Sequence, residues 1–280
     1  MFKLDLPLDS IKQKYTDDNS KFVTIDKMNV HYKEEGEGEP LVLLHDAGLS
    51  LQIWNNLMPF LTKHYRVIRF DLPGFGLTAA SKRFDYSMDK YIYFVKKMTA
   101  AVGLSLGKFS ILGAGFGGHI AWQYTLLHQH RIEKLILINA QGYASKNSLS
   151  LFQFDKKNGL SKGLMRWRGN TWMVNKLLRK QVGNESIIND QLIREIQDIL
   201  LCKGNRKSLI RLSKAALKDR KHRMPEIKTS TLVIWGSKVE KVNFEKDLPN
   251  VEFKKYEGIG LLPMVENAKQ TAEDIIQFLS

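Results

Sequence analysis

The residues with the strongest chemical signature lie in one stretch, Phe109-Ser110-Ile111-Leu112-Gly113-Ala114-Gly115-Phe116-Gly117-Gly118-His119-Ile120-Ala121-Trp122. It starts apolar and extended and ends in a helical pattern. Gly113, Ala114, Gly115, Gly117 and Gly118 make the join, and so many small residues together point to a sharp strand-to-helix turn. In the form G-x-S-x-G such a turn holds a reacting oxygen above a sheet. Here the central position is Gly115, which has no side chain to react. Gly113-x-Gly115-x-x-Gly118 also matches the dinucleotide pattern G-x-G-x-x-G. That pattern needs an acid about twenty residues on. The strand reading Lys134–Ile138 instead ends in Asn139, with Glu133 at its wrong end, so the glycines read as a turn.

Other reactive side chains are scattered. The seven histidines and single cysteine show no metal-ligand spacing, and neither a metal nor a cofactor is expected. His119, His128 and His130 lie on or after the helix that follows the turn, with no evident nucleophile beside them. Cys202 reads as a small packed residue and fits a reducing compartment. Residues 162–168 and 172–180 mix Trp and Leu with Lys and Arg. Lys162, Arg166, Arg168, Lys176, Arg179 and Lys180 form a basic patch that could meet an anionic membrane surface or an acidic protein. The plainer reading is a solvated lid whose Trp and Leu cover a pocket. No nucleic-acid module appears, and no nucleic acid is expected.

The elements that must position the turn follow from patterning. Residues 21–34 read as a hairpin turning at Asp26-Lys27, and Leu41-Val42-Leu43-Leu44 is a continuous apolar run suited to a buried parallel strand. A helix is expected from an N-cap at Ser50 to Lys63, followed by a strand Arg66–Phe70 and a turn through Gly76. A helix Met88–Val102 precedes the central stretch. After Gly142 only helical patterns continue, clearest at Trp172–Lys180 and Ile187–Leu201. Strands resume at Thr231–Trp235 and Val251–Tyr256, and an amphipathic helix Glu266–Leu279 closes the chain. Strands alternating with helices imply a doubly wound, mostly parallel α/β sheet. The division is a core of residues 1–142 and 226–280 interrupted by a helical cap, 143–225.

Charge supports that division. The chain carries a net +14 over 280 residues, and residues 151–225 hold 18 Lys and Arg against 6 Asp and Glu, a net of +12. The rest is nearly neutral. No apolar run approaches the roughly 18 residues of a membrane span, and the N-terminal residues show no signal-peptide pattern. The expectation is a cytoplasmic protein, or one peripheral to a membrane.

In chain order, Val30-His31-Tyr32, Leu43-Leu44-His45, Phe70-Asp71-Leu72-Pro73-Gly74-Phe75-Gly76, the glycine-rich turn, Leu232-Val233-Ile234-Trp235-Gly236 and Pro263-Met264-Val265-Glu266 resemble the α/β-hydrolase fold superfamily. The resemblance implies an eight-stranded sheet with a lid over the site. It also implies a nucleophile, an acid and a histidine in that order. Carried over residue by residue, these fall on Gly115, Val239 (with Glu240 adjacent) and Leu261. The family's oxyanion loop reads His-Gly, and here it reads His45-Asp46. Its N–H donors are expected from Ala47 and Phe116, where an ionised Asp46 would oppose a developing oxyanion. The connection Ser237–Asn250 is short for the family, which places a helix there.

From this follows the expectation of a non-catalytic protein binding a partner or a small apolar ligand under the cap. One alternative is an ester/acyl hydrolase-family enzyme, or a lyase, working with non-standard residues around Asp46. Another is docking to a membrane surface or an acidic partner through the basic cap.

Overall fold

A computed structural model describes residues 5–79, 84–142, 171–215, 218, 220–240 and 243–280. Lys162, Arg166 and Arg168 of the basic patch lie outside the described residues. Eight strands form one sheet: β1 (Ser20–Ile25), β2 (Met28–Glu35), β3 (Glu39–Leu44), β4 (Tyr65–Phe70), β5 (Phe109–Ala114), β6 (Ile132–Ile138), β7 (Thr231–Gly236) and β8 (Val251–Tyr256). Their order is β1-β2-β4-β3-β5-β6-β7-β8. β2 runs antiparallel to β1 and β4, and every pairing from β4 through β8 is parallel.

Burial follows position in that order. The last four residues of β3, β5 and β6 and all of β7 are buried, as continuous apolar runs require when both sheet faces are covered. The edge strands β1 and β8 are only partly buried. The β1–β2 hairpin turns at Asp26 (φ +45°) and Lys27 (φ +66°), a left-handed pair that suits the twist of the two strands.

Helices α1 (Leu8–Tyr15), α2 (Met58–Leu61), α3 (Met88–Ala101) and α4 (Gly115–Leu127) belong to the first half of the chain. α4 is buried from Gly115 to Leu126, so it is apolar all round rather than amphipathic. The continuous helix expected from Ser50 to Lys63 does not form. Ser50 does cap a turn, accepting from Gln52 N–H, but that 3-10 turn spans only Leu51–Trp54. Pro59 lacks an N–H and its ring would strike the preceding turn, so helix resumes only as α2 with the proline in its first turn.

Between β6 and β7 the described residues hold helices and no strand: α5 (Thr171–Gln181), α6 (Asp190–Leu201) and α7 (Asn205–Lys214). α6 begins at Asp190 rather than Ile187, because the Asn189 side chain accepts from Leu192 N–H and fixes the start there. The N-terminal segment ties these helices down. Leu6 N–H donates to Leu201 O (2.8 Å) and its carbonyl accepts from Lys203 N–H (2.9 Å). Ile11, Leu77, Ile199 and Cys202 form a small separate core beneath. Burial pushes the Cys202 thiol up to about 11, so it stays protonated and packed. The chain closes with α8 (Phe244–Asp247), α9 (Pro263–Glu266) and α10 (Ala268–Leu279). α8 supplies a single helical turn in the connection Ser237–Asn250.

Candidate functional site

The parallel strands β3 and β5 end side by side, and α4 leaves β5 at once through Gly115. Gly115 adopts φ +52°. That left-handed conformation is costly for residues with a Cβ and free for glycine. The turn therefore has the strained geometry expected of it, without the side chain.

The Asp46 carboxylate stands in that side chain's place. An ideal Cβ on Gly115 would lie 2.3 Å from Asp46 Cγ, inside any permitted contact. Asp46 Oδ1 accepts from Phe116 N–H (2.7 Å) and from Ala47 N–H (2.8 Å). These are the two donors expected to stabilise an oxyanion, so Asp46 does not merely stand near them: its own oxygen is held by both. The residue is 3% exposed. Glycine at 115 and aspartate at 46 are thus sterically linked.

His45 holds this loop in place. Its Nδ1 donates to Asp46 O (2.7 Å), while Nε2 accepts from Leu72 N–H (2.9 Å). Burial lowers its pKa against the pull of Asp71, so it is a neutral imidazole with both nitrogens engaged. Asp71, at the end of β4, accepts from Leu51 N–H, Leu77 N–H and His31 Nδ1. Burial acts to raise its pKa, but the His31 hydrogen bond and charge outweigh it and hold the carboxyl below its ordinary range.

The other two expected positions belong to a different network. Leu261 is buried in the main core. Its N–H donates to Gln181 O, and its carbonyl accepts from Asn139 Nδ2 (3.1 Å). Val239 is half-buried against the same core, its carbonyl accepting from Trp235 Nε1, and Glu240 is exposed. Asn139 joins the two loops, because its Oδ1 accepts from Gly236 N–H (3.0 Å) and its Nδ2 also donates to Gly260 O (3.0 Å). Glu266 completes the tie by accepting from Gly183, Asn184, Gly260 and Leu262 N–H groups. Among the described residues this region offers backbone and amide contacts where an acid and a histidine would work.

Sequence reading brought Gly115, His45, Asp46, Ala47 and Phe116 to one place, and the structure does the same. It missed the role of Asp46 as the group occupying the N–H pair, although a small residue at 115 beside a larger one at 46 was the available signal. It also missed Asn139 and Glu266 as tethers. His119 lies one turn beyond Gly115, stacked on Trp122 and hydrogen-bonded to Gln123 Nε2 (2.7 Å). On α5, Lys176 lies over the exposed Trp172 ring and Arg179 pairs with Glu185, while Lys180 is exposed. Among the described residues no three His, Cys, Asp or Glu side chains converge as for a metal ion, and no helix is long and apolar enough to cross a membrane.

Comparison with known proteins places this geometry. Residues 39–174 match the family model described as alpha/beta hydrolase fold. A 125-residue segment is 33% identical to a 2-hydroxy-6-oxo-6-(2'-aminophenyl)hexa-2,4-dienoic acid hydrolase of Metapseudomonas resinovorans, covering 44% of this chain and 42% of that one. A 2-hydroxy-6-oxononadienedioate/2-hydroxy-6-oxononatrienedioate hydrolase of Paraburkholderia phymatum is 28% identical over 93% of this chain and 95% of its own length. A meta-cleavage product hydrolase structure from Pseudomonas fluorescens IP01 superposes with TM-score 0.78 at 22% identity, over 92% of this chain and 97% of that one. These matches overturn the expectation of a non-catalytic binding protein, because the relatives are hydrolases, one along nearly the whole length. By its sheet order, its strand-to-helix turn and these matches, the chain has the alpha/beta hydrolase fold, and its residues 39–174 match that family model.

Proposed function

We propose that this chain is a hydrolase-family enzyme of the ester/acyl class that works without a Ser–acid–His triad and uses the Asp46 carboxylate as its reacting group. The observation that carries this reading is the position of Asp46. Its Cγ lies 2.3 Å from where a Gly115 Cβ would be, so the carboxylate reaches the place from which an elbow side chain acts. A carboxylate there serves as general base. It takes one proton from water, the hydroxide adds to the ester carbonyl carbon, the C–O bond breaks, and the leaving alcohol takes the proton back from Asp46. Ester and water become acid and alcohol, and Asp46 is regenerated. The Ala47 and Phe116 N–H groups hold the carboxylate and fix its direction. His45 cannot substitute as the base, since both of its nitrogens are committed to the loop.

The names of the relatives, hydrolases of 2-hydroxy-6-oxo dienoic acids, support the broad class. In the same reading the described helices between β6 and β7 belong to a cap, and an apolar acyl chain lies beneath it. The test is turnover of short-chain p-nitrophenyl esters and of a 2-hydroxy-6-oxodienoate by the parent and by Asp46→Asn, which retains an oxygen for the two N–H donors. The reading expects parent turnover above buffer and a loss of about 10²–10⁴-fold in the variant. Equal turnover by parent and variant, or none by either, would overturn it.

A further inference from the structure

Half of the Lys and Arg side chains described between β6 and β7 are neutralised where they stand. Arg179 pairs with Glu185, Arg194 with Asp190, Arg206 with Asp5, Lys218 and Arg220 with Asp89, and Arg223 with Glu226. In the core, buried Lys33 and Arg69 pair with Asp17 and Glu35. Of the others between β6 and β7, four stand together. Lys203, Lys207, Arg211 and Lys214 are all exposed, and among the described residues none of their side chains makes an ion pair. The last three lie on α7, at spacings that bring them one above another on a single face, with Lys203 one turn earlier. α7 carries no Asp or Glu. Its opposite side is fixed, since Leu209, Leu212, Ser208 and Asn205 are buried and Asn205 Nδ2 donates to Gly76 O and Ile199 O. The stripe is therefore a row of like charges on a helix clamped to the body.

We propose that this stripe docks the protein on an anionic lipid surface. Four like charges in a row without acids raise the local potential and repel one another, an arrangement stabilised by an opposing sheet of negative charge. A protein interface draws its affinity from buried aromatic or apolar anchors at its centre, and the stripe has none. A bilayer surface requires only charge density. On α5, Trp172 is 65% exposed with Lys176 Nζ 5.1 Å from its ring centre, an amphipathic pair of the kind enriched at membrane interfaces. Docking here is peripheral and electrostatic, because the apolar face of α7 is used within the protein. The proposal does not depend on the role of Asp46, and its test reads no turnover.

The test is co-sedimentation of the full chain with phosphatidylcholine vesicles containing phosphatidylserine, against pure phosphatidylcholine. Each basic residue near such a surface contributes roughly fivefold to partitioning. The triple variant Lys207→Gln, Arg211→Gln and Lys214→Gln should therefore bind on the order of 10²-fold more weakly. The charge-keeping variant Lys207→Arg, Arg211→Lys and Lys214→Arg should bind like the parent. Binding should vanish near 1 M salt, where the screening length is about 3 Å. Equal partitioning into both vesicle types, undiminished binding by the glutamine variant, or retention by an acidic protein or DNA without retention by vesicles would each overturn the proposal.

Discussion

Two buried carboxylates sit at the ends of adjacent parallel strands and have opposite characters. Asp71 follows β4, and Asp46 follows β3 by two residues. Each stands against a glycine that cannot carry a Cβ: the nearest Asp71 atom would lie 2.1 Å from a Cβ on Gly76, and Asp46 Cγ 2.3 Å from one on Gly115. Both accept backbone N–H groups. The difference is whose groups they are. Asp71 gathers Leu51, Leu77 and His31 from three separate segments and locks them together. Asp46 Oδ1 accepts from its neighbour Ala47 and from Phe116 at the start of α4, the pair expected to face a reacting group. Burial and residue type are shared, so the donor sets separate the carboxylate that locks three segments together from the one we propose as the reacting group.

The largest effect on stability should come from Asp71→Ala. It strands a buried imidazole and two N–H groups, and about 3–5 kcal/mol should be lost in urea unfolding. A loss under about 1 kcal/mol would dissolve the contrast. Gly115→Ala should cost about 2–4 kcal/mol, from the collision with Asp46 and the positive φ together. In an Asp46→Gly background only the φ cost of about 1–2 kcal/mol should remain. A double-mutant cycle reads the difference as the coupling of positions 46 and 115, and strict additivity would refute their steric linkage.

A third carboxylate shows what burial does without donors. Half-buried Glu195 is pushed up to about 7 by desolvation, against the lowering influence of Arg69. Because its pKa is raised in the fold from an ordinary 4.5, the folded state binds more protons, and stability falls as pH rises from about 4.5 to 7. Glu195→Gln should therefore exceed the parent by on the order of 1–3 kcal/mol above pH 7, with the gap closing below pH 4.5. A pH-independent difference would show that the effect is packing rather than ionisation. Asp71 carries the opposite sign: its carboxyl is held low, so the stability it contributes is lost as pH falls into the acid range.

Much of the frame was legible in the sequence, because buried parallel strands are written as continuous apolar runs. Leu41–Leu44, Arg66–Phe70 and Thr231–Trp235 fall within a residue or two of such strands, and Val251–Tyr256 matches the partly buried edge strand β8. Periodicity failed at Ser50–Lys63, where apolar spacing favoured a helix and Pro59 outweighed it locally. At the site, the sequence located Gly115, Val239 and Leu261 but could not say what filled the space. That answer depends on contacts between residues 46 and 116, and between Asn139 and residues 236 and 260, which lie far apart in the chain. The resemblance to hydrolases was legible in the order of the motifs, whereas what stands in place of the triad was not. Three missing side chains read as lost chemistry when the group proposed to replace them comes from another loop.

The most direct test takes Asp46→Asn and Asp71→Asn side by side, measuring ester turnover per folded molecule and unfolding free energy for each. Asp46→Asn should keep its stability to within about 1 kcal/mol and lose turnover by about 10²–10⁴-fold. Asp71→Asn should lose about 1–3 kcal/mol of stability, since an amide NH2 would face another donor, while keeping its turnover. If Asp46→Asn turned over substrate like the parent, Asp46 would be a rivet like Asp71 and the account of the site would be wrong.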